Sequence, residues 1–193
     1  MCSSDLRVYK QIHHLMKHHI ENKILKLALL TAIAISLHVV ENMIMRLLPI
    51  PFIRLGLSNA VALYLICVER PMDAILVTIT KSIFGGVATM TLIHPSTLLS
   101  LFGGLSSVVA MFLAMNLIRG FSIFGLSIIG AIMHNLVQLV IVRLLIMHTN
   151  RVFMLTPILI SLGLISGSVI AYVTLYVIKK FEHSGKIIDE TLY

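Results

Sequence analysis

The sequence predicts an all-α integral membrane bundle of about six transmembrane helices. Three observations carry this. Of 193 residues, 58% are hydrophobic and only 12% are charged. Mean hydropathy is +1.00. The apolar residues fall in long runs separated by short polar or Pro/Gly breaks. So few polar groups cannot cover a water-facing surface, and the same figures exclude disorder. A span takes ~20 apolar residues, so five or six spans use nearly the whole chain. No room remains for a sizeable soluble domain such as an ATPase or a dinucleotide-binding module.

Residues 1–23 form a basic, His-rich segment with Arg7, Lys10, Lys17, Lys23 and the pairs His13-His14 and His18-His19. The apolar run that follows is too long for a signal peptide and lacks a small-residue cleavage site. The histidine spacing suits a metal, but no Cys or carboxylate cluster completes a site. A basic, lipid-facing segment is the expectation, and no metal ligand or cofactor is assigned. Cys2 and Cys67 form neither a disulfide framework nor a zinc pattern.

Six apolar segments follow within a transmembrane domain expected over residues 24–180. The first, Ile24–Leu48, ends at Pro49-Ile50-Pro51. The second, Leu55–Val68, ends at Glu69-Arg70-Pro71, and the third, Met72–Ile93, at His94-Pro95-Ser96. Thr97–Ile118 and Phe121–Met147 are the fourth and fifth, parted by Arg119-Gly120. His148-Thr149-Asn150-Arg151 precedes the sixth, Phe153–Ile178, and residues 181–193 are a charged tail. The second segment is too short to span straight at ~1.5 Å per residue. It either dips into the membrane under the shelter of protein or spans a locally thinned bilayer.

An even number of spans puts both ends on one side. That side holds Arg7, Lys10, Lys17, Lys23, Lys26, Arg70, Arg119, Lys179, Lys180 and Lys186; the other holds Arg46, Arg54 and Arg151. The imbalance places both termini in the cytoplasm, with the chain in the cell membrane. A net charge of +7 reflects these basic ends, and nucleic acid is not an expected partner.

Two cations remain inside predicted spans, Lys81 and Arg143. A charge at the bilayer centre costs at least ~2.5–3.5 kcal/mol. Lys81 lies ten residues beyond Pro71, about 15 Å along a helix, near mid-membrane. It is either an ion-paired or snorkelling lysine or a cavity cation that meets a polar or anionic ligand. In the first span, His38, Glu41, Asn42 and Arg46 occupy a sector of roughly 140°. Ala28, Ala32 and Ser36 form a second face, centred roughly 110° away, of the small-xxx-small kind that allows close helix contact. In the fifth span, His134 and Gln138 share a face and Asn135 widens it, while Arg143 points elsewhere or sits near the outer end. These polar groups are read either as interhelical hydrogen bonding or as a binding site.

Counting from the segment ends, His38, Asn42, Asn59, Lys81, His134 and Gln138 fall between the middle and the outer half, with Arg46 and Arg54 at the mouth. Such a layer predicts a site reached from outside, and its basic excess favours a ligand with an anionic head. Catalysis by the chain alone is not expected. Asp5, Asp73 and Asp189 are too scattered to hold the magnesium of prenyl-diphosphate chemistry. Gly85-Gly86 and Gly103-Gly104 lack the pattern of a nucleotide loop. Use of ATP would need separate subunits.

The stretches LALLTAIAISLHVVE, PIPFIRLGLSNAVALYL, TKSIFGG and GLSIIGAIMHNLVQLVI together resemble the Gx transporter family, also labelled heptaprenyl diphosphate synthase component I. The resemblance runs over about residues 25–180, and RLGLSN and HNLVQ are its most specific pieces. That family is similar to the substrate-binding S components of energy-coupling-factor transporters. The resemblance implies capture of a small molecule at the outer side and docking on a membrane coupling subunit driven by ATPases. Ala28 and Ala32, extended by Ser36, match the docking pattern of the first helix. Arg54, Asn59, Lys81, His134, Asn135 and Gln138 stand at matching motif positions. The older label implies the alternative: a noncatalytic membrane subunit that partners a soluble prenyltransferase chain.

Overall fold

A computed structural model describes residues 23–44, 56–68, 70–118 and 120–191, with backbone alone from 181 onward. Arg46, Arg54, Arg119 and the His-rich segment before Lys23 lie outside the described residues. The described chain is helical throughout: α1 (Lys23–Ile44), α2 (Asn59–Cys67), α3 (Pro71–Ala88), α4 (Pro95–Leu117), α5 (Ile123–Val142) and α6 (Thr156–Thr191). A π turn, Arg143–Met147, prolongs α5, and a 3-10 turn, Asn150–Leu155, leads into α6. Local chemistry sets these starts. Pro71 and Pro95 occupy first-turn positions, where a missing N–H costs nothing. Ser122 caps α5 by accepting from Gly125 N at 3.1 Å.

Five helices are long and apolar enough to cross a membrane: α1, α3, α4, α5 with its π turn, and the run Asn150–Lys180. Their outward faces are apolar, with Met72, Phe84, Phe102, Leu113, Leu117, Ile165 and Val173 all exposed. Such a continuous surface suits lipid, not water. Polar residues go inward, where the helices interlock.

The sixth helix is different. α2 has nine residues, about 13 Å of rise, and it is the best buried. Val61, Ala62, Leu63, Leu65 and Ile66 are all covered, and α2 packs against α3, α4, α5 and α6. Ala60, Tyr64 and Cys67 share one half-buried face, and the rest of the helix is covered. The helix begins inside the bundle, at the buried Ser58 and Asn59.

Small residues let the remaining helices close up. The tightest neighbours are α4 on α5 and α5 on α6. A Cβ on Gly167 would stand 2.9 Å from Ile128 Cα, so only glycine permits that approach of α6 to α5. Ser127 Oγ donates to Gly167 O at 2.6 Å and Asn135 Nδ2 to Leu159 O at 2.9 Å across the same seam.

Candidate functional site

Helical rise alone brings Asn59 and Lys81 level. Asn59 is eight residues above Cys67, and Lys81 is ten above Pro71, roughly 12 and 15 Å from the turn that joins the two helices. The structure closes that gap. Lys81 Nζ donates to Asn59 Oδ1 at 2.6 Å and to Ser58 Oγ at 2.9 Å. Lys81 is only 2% exposed, so its charge is met by protein, not by water. Ser58 is the N-cap residue of α2, yet its side chain makes no cap bond there. Its hydroxyl serves the lysine instead.

The same segment is held from the opposite side. Glu41 of α1, also buried, accepts from Gly56 N through Oε1. Gly56 has φ +72, a left-handed conformation that glycine adopts without Cβ strain. Residues 56–59 thus sit between a buried carboxylate and a buried ammonium. Each of these two side chains is bonded to the segment it clamps.

From Asn59 the contacts continue into α5. Asn59 Nδ2 lies 3.3 Å from His134 Nδ1, and His134 Nε2 lies 2.9 Å from Gln138 Nε2. Gln138 Oε1 is buried with no hydrogen-bond partner among the described residues. Gly103 of α4 makes room for the ring: a Cβ there would meet His134 Cε1 at 2.9 Å. Gly85 does the same for His38, whose Cδ2 would lie 2.2 Å from an added Cβ. His38 therefore rests on α3 one turn beyond Lys81, on the same face.

A small cavity of about 10 Å³ opens beside Asn59 and His134, enough for about one water molecule. Gly56, Ser107, Asn135 and Ser166 contribute its polar wall, and Leu63, Met111 and Ile170 its apolar one.

Of the residues singled out from sequence, Asn59, Lys81, His134 and Gln138 form one connected set. His38 and Asn42 are buried on the inner face of α1 beside Glu41. Asn135 reaches the cavity edge, but its amide is committed to α6. Arg143 is remote: it donates to Asn150 Oδ1 at 2.8 Å and lies 5.9 Å over the Phe153 ring, at the end of α5. The expected positions of Arg46 and Arg54 fall outside the described residues. Ala28, Ala32 and Ser36 are exposed on the outer face of α1.

Sequence reasoning left Ser58, Glu41 and Gly103 out of the site. Glu41 stood in the polar stripe, and Ser58 adjoins Asn59 within RLGLSN, so both carried a signal. Gly103 carried none beyond its glycine pair. Among the described residues, no three His, Cys, Asp or Glu side chains gather as a metal would need.

A family model described as heptaprenyl diphosphate synthase component I matches residues 30–177, which include every described residue of this connected set. No curated protein and no solved structure gives a match.

Proposed function

Since this chain belongs to the heptaprenyl diphosphate synthase component I family, we propose that it is a membrane-embedded substrate-binding subunit of an ATP-driven small-molecule transporter, with an anionic or amphipathic ligand. One observation carries the reading. Side chains from α1, α2, α3 and α5 converge as a buried polar layer on the start of the short α2. Burying so many polar groups in an apolar bundle is costly, and a binding role accounts for that cost better than packing does. With both termini cytoplasmic, the layer lies in the outer half of the membrane. His38, Asn42, Asn59, Lys81, His134, Asn135 and Gln138 then shape the site, with Arg46 and Arg54 at its mouth drawing in an anionic head. The cavity beside residues 56–59 holds about one water, so a larger ligand enters as the side chains lining it give way.

Energy comes from partners: a membrane coupling subunit and its ATPases. Ala28, Ala32 and Ser36, exposed along α1, form the face on which that coupling subunit docks. The chain itself carries no catalytic step and no cofactor.

A second reading rests on the family's description, which places the family with a synthase. There the chain is a noncatalytic membrane component that holds a soluble prenyltransferase, and the polar layer grips the head of a lipid product. Purification from native membranes in mild detergent, with mass spectrometry of co-purifying proteins, separates the two. The transporter reading expects a membrane coupling subunit with ATPases. Recovery of a soluble prenyltransferase in their place overturns it in favour of the second.

A further inference from the structure

Hydrogen-bond direction can be traced through the connected set, starting from its one donor-only member. An ammonium has three N–H groups and no lone pair. The 2.6 Å contact from Lys81 Nζ therefore fixes Asn59 with its oxygen toward Lys81. Its amide nitrogen, a donor only, is then the atom 3.3 Å from His134 Nδ1. Nδ1 must accept. A neutral imidazole that accepts at Nδ1 carries its proton on Nε2. That N–H points at the Gln138 amide 2.9 Å away, and only an oxygen can receive it. The two ends of a glutamine amide are told apart by their partners, so Oε1 belongs beside the ring. Turning the amide over sends Nε2 to the buried position where an oxygen finds no donor. The opposite direction would require Lys81 to accept from Asn59, which an ammonium cannot do.

We propose that Lys81, Asn59, His134 and Gln138 form a one-way hydrogen-bond relay that ends in a Gln138 N–H donor, and that this donor selects ligands carrying an acceptor oxygen such as a phosphate, carboxylate or carbonyl. The side chains of all four members are buried, with 2–6% of their surface exposed, so water does not scramble the order. Gly103 lets His134 and Gln138 lie flat against α4, which keeps the ring aligned with both neighbours. Lys81 thus acts on a ligand it does not touch, as a positioning residue. This inference rests on the binding reading of the polar layer for its ligand half, whereas the relay itself stands without one.

The test has two parts. Histidine-specific ¹⁵N labelling in lipid nanodiscs reads the His134 tautomer by NMR with no ligand added, the signal being assigned by its loss in His134→Gln. The wild type is expected to show protonated Nε2 and bare Nδ1; a protonated Nδ1 overturns the relay. Asn59→Asp offers oxygens to both neighbours and is expected to move the proton to Nδ1; an unmoved proton overturns the role of Asn59. Geranyl diphosphate is the probe for the ligand half. The wild type is expected to bind it, and Gln138→Glu, which keeps an acceptor for His134 but presents no donor, to bind it at least tenfold more weakly with the tautomer unchanged. Should Gln138→Glu not insert, Gln138→Met takes its place with the same expected loss. Equal affinities, or no binding by the wild type, overturn the donor role of Gln138. A correct tautomer without binding rejects the binding reading and keeps the relay; binding with the wrong tautomer does the reverse.

Discussion

Replacing Gly103 by alanine drives a methyl group into His134. The new Cβ would stand 2.9 Å from Cε1, 3.0 Å from Nδ1 and 3.2 Å from Gln138 Cγ, where carbon contacts prefer ~3.5–4.0 Å. The ring must retreat by ~0.6 Å or more on that scale. It is bonded to Asn59 on one side and Gln138 on the other, so no retreat spares both contacts. The Asn59 contact is already 3.3 Å and is the first to break. Overpacking costs ~1–3 kcal/mol, and a lost neutral hydrogen bond a further ~0.5–1.5 kcal/mol. Gly104→Ala is the comparison: its Cβ meets the Thr78 methyl at 2.7 Å and carries the overpacking cost alone. Thermal unfolding in nanodiscs, read with the His134 NMR signal, tells the two apart. Both variants lose stability, Gly103→Ala the more, and only Gly103→Ala moves the His134 signal. An unmoved His134 signal in Gly103→Ala refutes the reasoning, as does an equal shift in both variants.

Other outcomes follow from the same geometry. Gly56→Ala forces a Cβ into a left-handed backbone and against Asn59 Nδ2 at 3.2 Å, a cost of ~1–2 kcal/mol visible as a lower unfolding midpoint. Ala32→Leu, alone or with Ala28→Leu, adds bulk to an exposed face of α1. Insertion and the unfolding midpoint stay as in the wild type while recovery of the membrane coupling subunit is lost; unchanged recovery removes that face from the docking role.

The membrane class was legible because composition decides it. The long helices were legible because Pro and Gly mark their ends: Pro71 and Pro95 open α3 and α4 where the breaks predict. The second segment shows the limit. Its apolar run predicts a helix, but nothing local says that Asn59 starts it inside the bundle, since shelter is a property of the neighbours. Lys81 was found because a charge in an apolar run is conspicuous. What it does was not legible, because its partners Ser58 and Asn59 lie 23 and 22 residues away and meet it only through the α2–α3 turn. Ser58 carries no signal of its own beyond its place in RLGLSN, and the lysine takes its hydroxyl. Gly103 reads as half of a failed nucleotide loop until His134 is seen lying on it. Glu41 reads as one member of the polar stripe of the first span, whereas its partner is a backbone N–H, which no side-chain pattern reveals.

On the proposed reading, the layer around residues 56–59 binds a small molecule through groups that Lys81 holds in place. Native mass spectrometry of the chain released from its own membranes tests it most directly, comparing the wild type with Lys81→Met. The wild type is expected to retain a small molecule with an anionic oxygen head, and the variant, still inserted and folded, to lose it. Retention of the same molecule by both forms would contradict it.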